Sequence, residues 1–155
     1  MMTNNTNSFK GFITQRNELM LNNLAVTGDL PQWLSGHFIS NGPAQFEIGS
    51  THFNSWLDGF AMLKKFEFND GKVNFQNRYL RSKQFVESNA ARHLYENEFA
   101  TYASPNPLSR VIFLHKNLFR EFIYDNCNVN TSRIAEHLIT MTESNSVLEF
   151  NLWLI

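Results

Sequence analysis

One cysteine, Cys127, stands in a chain of 155 residues. No intramolecular disulfide can form, which excludes a disulfide-stapled secreted fold. Charge is scarce: charged residues make up 17% of the chain, against about 25% in ordinary soluble domains. The 13 basic and 14 acidic residues leave a net charge of −1. That balance excludes the electropositive footprint of a nucleic-acid binder and a polybasic membrane patch. Long apolar runs are missing too. A bilayer-spanning helix needs about 18 apolar residues or more, and the apolar stretch 110–122 is interrupted by Lys116, Arg120 and Glu121. The N-terminus has no positive region followed by an apolar run, so no signal peptide is read. The chain is expected to be soluble and cytoplasmic. Glycine loops that cradle phosphate are absent, as is the G-x-S-x-G nucleophile elbow.

Apolar character is what the chain has. Hydrophobic residues reach 43% and aromatic residues 14%, with 15 Phe. Such a composition argues against global disorder, and the length suits one domain of roughly 100–150 residues. Residues 1–10 are polar and Asn-rich and read as a disordered tail. Pro31 can open a short helical turn that Gly36 closes, and residues 37–40 read as a strand stopped by Asn41-Gly42-Pro43. Residues 61–68 and 72–80 alternate around Asn69-Asp70-Gly71, where Asp-Gly supplies the positive φ of a tight hairpin turn. The spacing of Phe85/Val86, Ala90 and Leu94 predicts a short helix within 83–97, and residues 108–123 show helical spacing as well. Residues 137–143 and 147–150 read as strands joined by Ser144-Asn145-Ser146. The sum is all-β with helical insertions, without a βαβ alternation.

Self-sufficient chemistry is not visible. His37, His52, His93, His115 and His137 are scattered, and none sits in an H-E-x-x-H or H-x-H ligand motif. Cys127, in Asp125-Asn126-Cys127-Asn128, has no sequence partner that would act as its base. Asp58-Gly59 fits a turn in which the carboxylate satisfies backbone N–H groups better than it fits a catalytic acid. Glu143 by itself is a solvated or capping carboxylate.

Several phrases taken in order carry more. Leu30-Pro31-Gln32-Trp33-Leu34-Ser35-Gly36, continuing to Asn41-Gly42-Pro43, resembles the L-P-x-W-L-x-G…N-G-P opening of the carotenoid cleavage oxygenases. Phe46-Glu47-Ile48-Gly49 follows. Phe53-Asn54-Ser55-Trp56-Leu57-Asp58-Gly59-Phe60-Ala61-Met62-Leu63 is similar to that family's F-x-H-W-F-D-G-x-A-M-L. Asn77-Arg78-Tyr79-Leu80-Arg81-Ser82, Glu98-Phe99-Ala100-Thr101, Asp125-Asn126 and residues 138–143 continue in the same order. Ser40 stands where the family usually has Arg, and Ser55 where it has His.

This resemblance covers about residues 11–150. It implies the N-terminal portion of a seven-bladed β-propeller with iron(II) on its axis, held by four histidines. It further implies oxidative cleavage by O₂ of double bonds in carotenoids, apocarotenoids or stilbenes. Thr142-Glu143-Ser144 matches the family's T-E-[TS] phrase, whose glutamate hydrogen-bonds an iron-ligand histidine, so Glu143 is expected to support the metal from behind a ligand. The family's four ligand positions lie beyond that phrase, and none of the five histidines present matches one. Residues 11–155 are therefore expected to be a partial propeller, truncated before the iron ligands, with no catalytic and no metal-ligating residue of its own. The implied partners are an apolar polyene or stilbene and O₂, with no nucleic acid, and a peripheral membrane contact is compatible with the resemblance. The chain is expected to be inactive alone. It could instead act as a non-enzymatic module complementing a separately encoded C-terminal part, or be a pseudogene product.

Overall fold

A computed structural model describes residues 10–103, 106, 111 and 124–152. Among these residues the elements follow in the order β1 (Met20–Leu21), β2 (Gly36–Gln45), β3 (Glu47–Ile48), β4 (Thr51–His52), β5 (Phe60–Asn69), β6 (Lys72–Tyr79), α1 (Lys83–Ala91), β7 (Asn130–Ile134), β8 (His137–Met141) and β9 (Val147–Phe150). They form a four-stranded sheet in the order β1-β6-β5-β2, the small β3-β4 pair, and a three-stranded sheet β7-β8-β9. Every pairing is antiparallel. The predicted helix over 108–123 falls almost entirely outside the described residues, as does most of the predicted tail.

The β5–β6 hairpin is the centre of the large sheet. Asp70 and Gly71 both take positive φ, 48° and 70°, the combination a two-residue hairpin turn requires. Phe68 then pairs with Val73 and Phe66 with Phe75. Alternation sorts β5 into two faces. Phe60 and Met62 point into one core with Ala44, Ile48, Tyr79, Phe85 and Leu94. Ala61 and Leu63 point the other way, into a second core with Leu80 and Cys127, against Ile39 of β2 and Leu148 and Phe150 of β9. One face of the large sheet thus packs on the small sheet. Full burial of side chains such as Phe60 and Met62 is worth about 1.5–3 kcal/mol each. Phe60 also makes edge-to-face contacts with Phe53 at 5.3 Å and Phe85 at 5.5 Å.

Three expectations change. The strand that begins beside His37 does not stop at Asn41-Gly42-Pro43. It runs to Gln45, pairing Asn41 with Leu63, Gly42 with Met62 and Pro43 with Ala61. Pro43 is tolerated because β2 lies at the edge of the sheet and its register shifts between Pro43 and Gln45, so a missing N–H costs no central ladder bond. Gly36 opens β2 instead of closing the Pro31 turn, although that turn exists, with the Leu34 N–H donating to the Pro31 carbonyl. The helix within 83–97 ends at Ala91, where Arg92 turns left-handed at φ 55°. Leu94 reaches the core from the extended chain beyond it. Strand β7 was not legible, because Asn-Thr-Ser-Arg-Ile carries no alternating apolar face.

Two glycines are obligatory for packing. At Gly49, φ is 57° and an added Cβ would sit 2.1 Å from the Arg92 carbonyl oxygen. At Gly59 a Cβ would lie 2.7 Å from the Pro43 Cβ.

Candidate functional site

The phrases that stood out in the sequence converge on one buried polar knot. Ser55 caps the 3-10 turn Trp56–Asp58, accepting from the Leu57 N–H at 3.2 Å. This turn drives Asp58 into the interior, where it is fully buried. Both Asp58 carboxylate oxygens lie 3.1 Å from the Ala100 N–H, and Oδ2 accepts from the Thr101 hydroxyl at 2.6 Å. Thr101 Oγ1 in turn accepts from the Asn54 N–H at 2.7 Å. The turn reading of Asp58 therefore holds in chemistry, but the N–H groups it satisfies belong to a segment 42 residues away.

The other side of the knot is the run 125–128. Asn126 Nδ2 donates to the Asp58 and Gly59 carbonyls, and its Oδ1 accepts from the Ala61 N–H. Asn128 Nδ2 donates to the Leu57 carbonyl at 2.6 Å and the Gly59 carbonyl at 2.9 Å. Asp125 caps α1: its two oxygens accept from the Lys83 and Gln84 N–H groups, beside the Ser82 hydroxyl that accepts from Phe85. A carboxylate there also meets the positive end of the helix dipole. Gln84 reaches back across the loop, donating to the Glu96 carbonyl and accepting from the Glu96 N–H. Backbone groups that the irregular chain would otherwise bury unpaired thus find side-chain partners.

Cys127, inside this run, is fully buried, and burial with the nearby Asp125 charge raises its thiol pKa to about 11. It is a packed thiol, and its Sγ lies 3.5 Å from the Ser146 carbonyl. Glu143 occupies the bend between β8 and β9, and its side chain is exposed. Its neighbour Ser144 donates to the Tyr124 carbonyl at 3.1 Å, which anchors the bend to the chain entering the knot.

The described histidines stay apart. His137 Nδ1 lies 2.7 Å from Glu149, His37 Nε2 lies 3.8 Å from Glu67, and His93 Nδ1 faces the Ala91 carbonyl. His115 falls outside the described residues. Among the described residues no three His, Cys, Asp or Glu side chains come together in a way that could hold a metal. The donors among the described residues do not fit an iron centre. A groove of about 870 Å³ between β2 and the three-stranded sheet is lined by His37, Ile39, Arg133, Glu136, Glu149 and Phe150 among others. It places no nucleophile beside a base. Among the described residues no helix is long and apolar enough to cross a membrane.

Residues 12–153 match the family model described as retinal pigment epithelial membrane protein. The chain is 33% identical over 132 residues to the mouse beta,beta-carotene 15,15'-dioxygenase, a match covering 79% of this chain and 22% of that protein. It is 33% identical over 120 residues to the carotenoid isomerooxygenase of Galleria mellonella, covering 76% of this chain and 23% of that protein. A mutant of the Synechocystis apocarotenoid oxygenase superposes with a TM-score of 0.78 at 25% identity, over 94% of this chain and 29% of that one. The chain belongs to this family, the carotenoid cleavage oxygenases, and its sheets are the N-terminal part of a β-propeller. It spans less than a quarter of the length of these curated relatives.

Glu98, Thr101, Asp125 and Asn126 lie in the family-like phrases, but no motif in the sequence gives them a role. Asn128 also went unassigned. Their signal was polar residues in phrases far apart in the chain. Hydropathy alone reads each of them as an ordinary turn residue.

Proposed function

We propose that this chain is the N-terminal part of a non-haem iron(II) dioxygenase that cleaves double bonds of carotenoids, apocarotenoids or stilbenes with O₂. The supporting observation is the family match across residues 12–153, carried by a chain less than a quarter of its relatives' length. On this reading residues 1–10 are a tail and residues 11–155 a partial propeller. The metal's histidines come from the rest of the enzyme, and the chain alone is inactive. When bound, iron would supply O₂ activation. Glu143 would accept a hydrogen bond from a ligand imidazole and so fix its tautomer and orientation, a role for which its exposed position at the β8–β9 bend leaves it available. The knot around Asp58 would hold the first sheet in register while the remaining blades close. The polyene substrate and O₂ are its partners, and its location is cytoplasmic.

A non-enzymatic assembly module is the second reading. It is favoured by large apolar side chains left in solvent, with Trp33 80% and Phe99 81% exposed. One experiment separates the readings. The chain is purified alone and together with the C-terminal remainder of a family enzyme, and iron content and O₂-dependent alkene cleavage are measured. The expected result is no stoichiometric iron and no turnover for the chain alone, with both appearing on complementation. Iron and turnover in the chain alone would overturn the claim of inactivity. Stable association without iron or turnover would leave the module reading standing in place of the enzyme.

A further inference from the structure

We propose that residues 94–103 form a proton-sensitive latch over the polar knot, held shut by Glu98 as a neutral acid and loosened when Glu98 ionises. Glu98 is 8% exposed, and its Oε1 is buried with no hydrogen-bond partner among the described residues. It is the least satisfied member of a cluster in which nearly every other polar group is paired. Three elements pack around it, and each faces it with acidic or neutral groups. The turn before β5 brings the Asp58 carboxylate. The run 124–128 brings Asp125, Asn126 and the phenol of Tyr124. Helix α1 brings the neutral amide of Gln84.

The charges that act on Glu98 from the described residues are Asp58 and Asp125, both anionic. Against them act side-chain hydrogen bonds from the Gln84 and Asn126 amides, which favour the anion but are shared with backbone acceptors. Gln84 Nε2 donates to the Glu96 carbonyl at 2.8 Å, and Asn126 Nδ2 to the Asp58 and Gly59 carbonyls. A third carboxylate cannot be charged here without desolvation and like-charge repulsion both opposing it. Burial, with Asp58 and Asp125 adding to it, pushes the Glu98 carboxyl up from 4.5 to about 8.

The latch follows from what Glu98 is fastened to. Its own N–H donates to the Thr101 carbonyl, and the next residues, Ala100 and Thr101, are the donors that hold Asp58. Opening of this loop would return Glu98 to water and to its ordinary acidity. The closed loop binds a proton that the open loop has released at any pH between those two values. Closure is therefore favoured at low pH and lost as pH rises. Between 4.5 and about 8 the opening equilibrium grows about tenfold per pH unit, and it levels off above that range.

The test is amide hydrogen exchange at Glu98 and Ala100 in the full 155-residue chain from pH 5 to 9, corrected for the intrinsic pH dependence of exchange. Wild type is expected to show a steep rise that levels near pH 8, while Glu98→Gln, which fills the same space without titrating, shows a flat profile. Parallel profiles in the two proteins would overturn the latch. Infrared spectroscopy of the wild type gives an answer even where the variant fails to fold. The carbonyl band of a buried neutral carboxylic acid should be present at pH 6 and fade across pH 8, and its absence at pH 6 would equally overturn the proposal.

Discussion

Replacing Asp58 with alanine probes the whole knot at one point. The change removes an acceptor that two donors share: the Ala100 N–H, 3.1 Å from each carboxylate oxygen, and the Thr101 hydroxyl at 2.6 Å. The Thr101 hydroxyl would remain buried, since Thr101 is 2% exposed, and the Ala100 N–H half-buried. A buried donor left unpaired costs about 1–3 kcal/mol, and bonds to a charged acceptor lie at the upper end, so the two together amount to about 3–6 kcal/mol. Part of this is returned, because a buried anion no longer has to be held out of water. A net loss of about 2–4 kcal/mol remains, a large fraction of the roughly 5–15 kcal/mol that holds a domain together. Asp58→Asn keeps one acceptor oxygen and removes the charge, so it should cost less, about 1–2 kcal/mol. It should also bring the Glu98 carboxyl back towards its ordinary range by removing one repelling neighbour. Urea titration at low protein concentration, followed by the fluorescence of Trp56 next to the knot, measures both variants. An Asp58→Ala midpoint shift equivalent to less than about 1 kcal/mol at an unchanged slope would show that Asp58 does not hold the loop.

Other outcomes follow from the same geometry. Gly49→Ala places a methyl group 2.1 Å from the Arg92 carbonyl at a residue with φ 57°. It should destabilise by about 2 kcal/mol or more, read as a lowered thermal midpoint, and an unchanged midpoint would refute the close approach. Cys127 is buried and its thiol pKa is raised to about 11, so at pH 8 it should resist maleimide in the native chain and react fast in urea. Equal rates in the two conditions would contradict its burial.

The hairpin was readable because two independent local signals agree there: alternating apolar residues on either side, and Asp70-Gly71, whose φ angles are both positive. Strands β8 and β9 were readable for the same reason. Strand β2 was cut short because Asn41-Gly42-Pro43 reads locally as a breaker, whereas its edge position is a tertiary fact that no local window contains. The knot was illegible for a related reason. Asp58, Asn126 and Asn128 are residues that hydropathy places in solvent, and their burial depends on backbone groups 42 to 71 positions away. Only the likeness of several phrases to one family hinted that they act together. Glu143 was singled out by that likeness alone, and it lies exposed in the β8–β9 bend.

The span of the knot has a consequence for the order of events during synthesis. A β-hairpin such as β5–β6 closes in about 1–10 μs once its residues are available, while a ribosome adds only about 5–20 residues per second. The large sheet can therefore pair long before residues 125–128 have been made. During those seconds the carbonyls of Leu57 and Gly59 and the Ala61 N–H await partners from Asn126 and Asn128. The first sheet is a nascent scaffold with a gap in it, and the arrival of Asp125-Asn126-Cys127-Asn128 acts as a checkpoint that seals it.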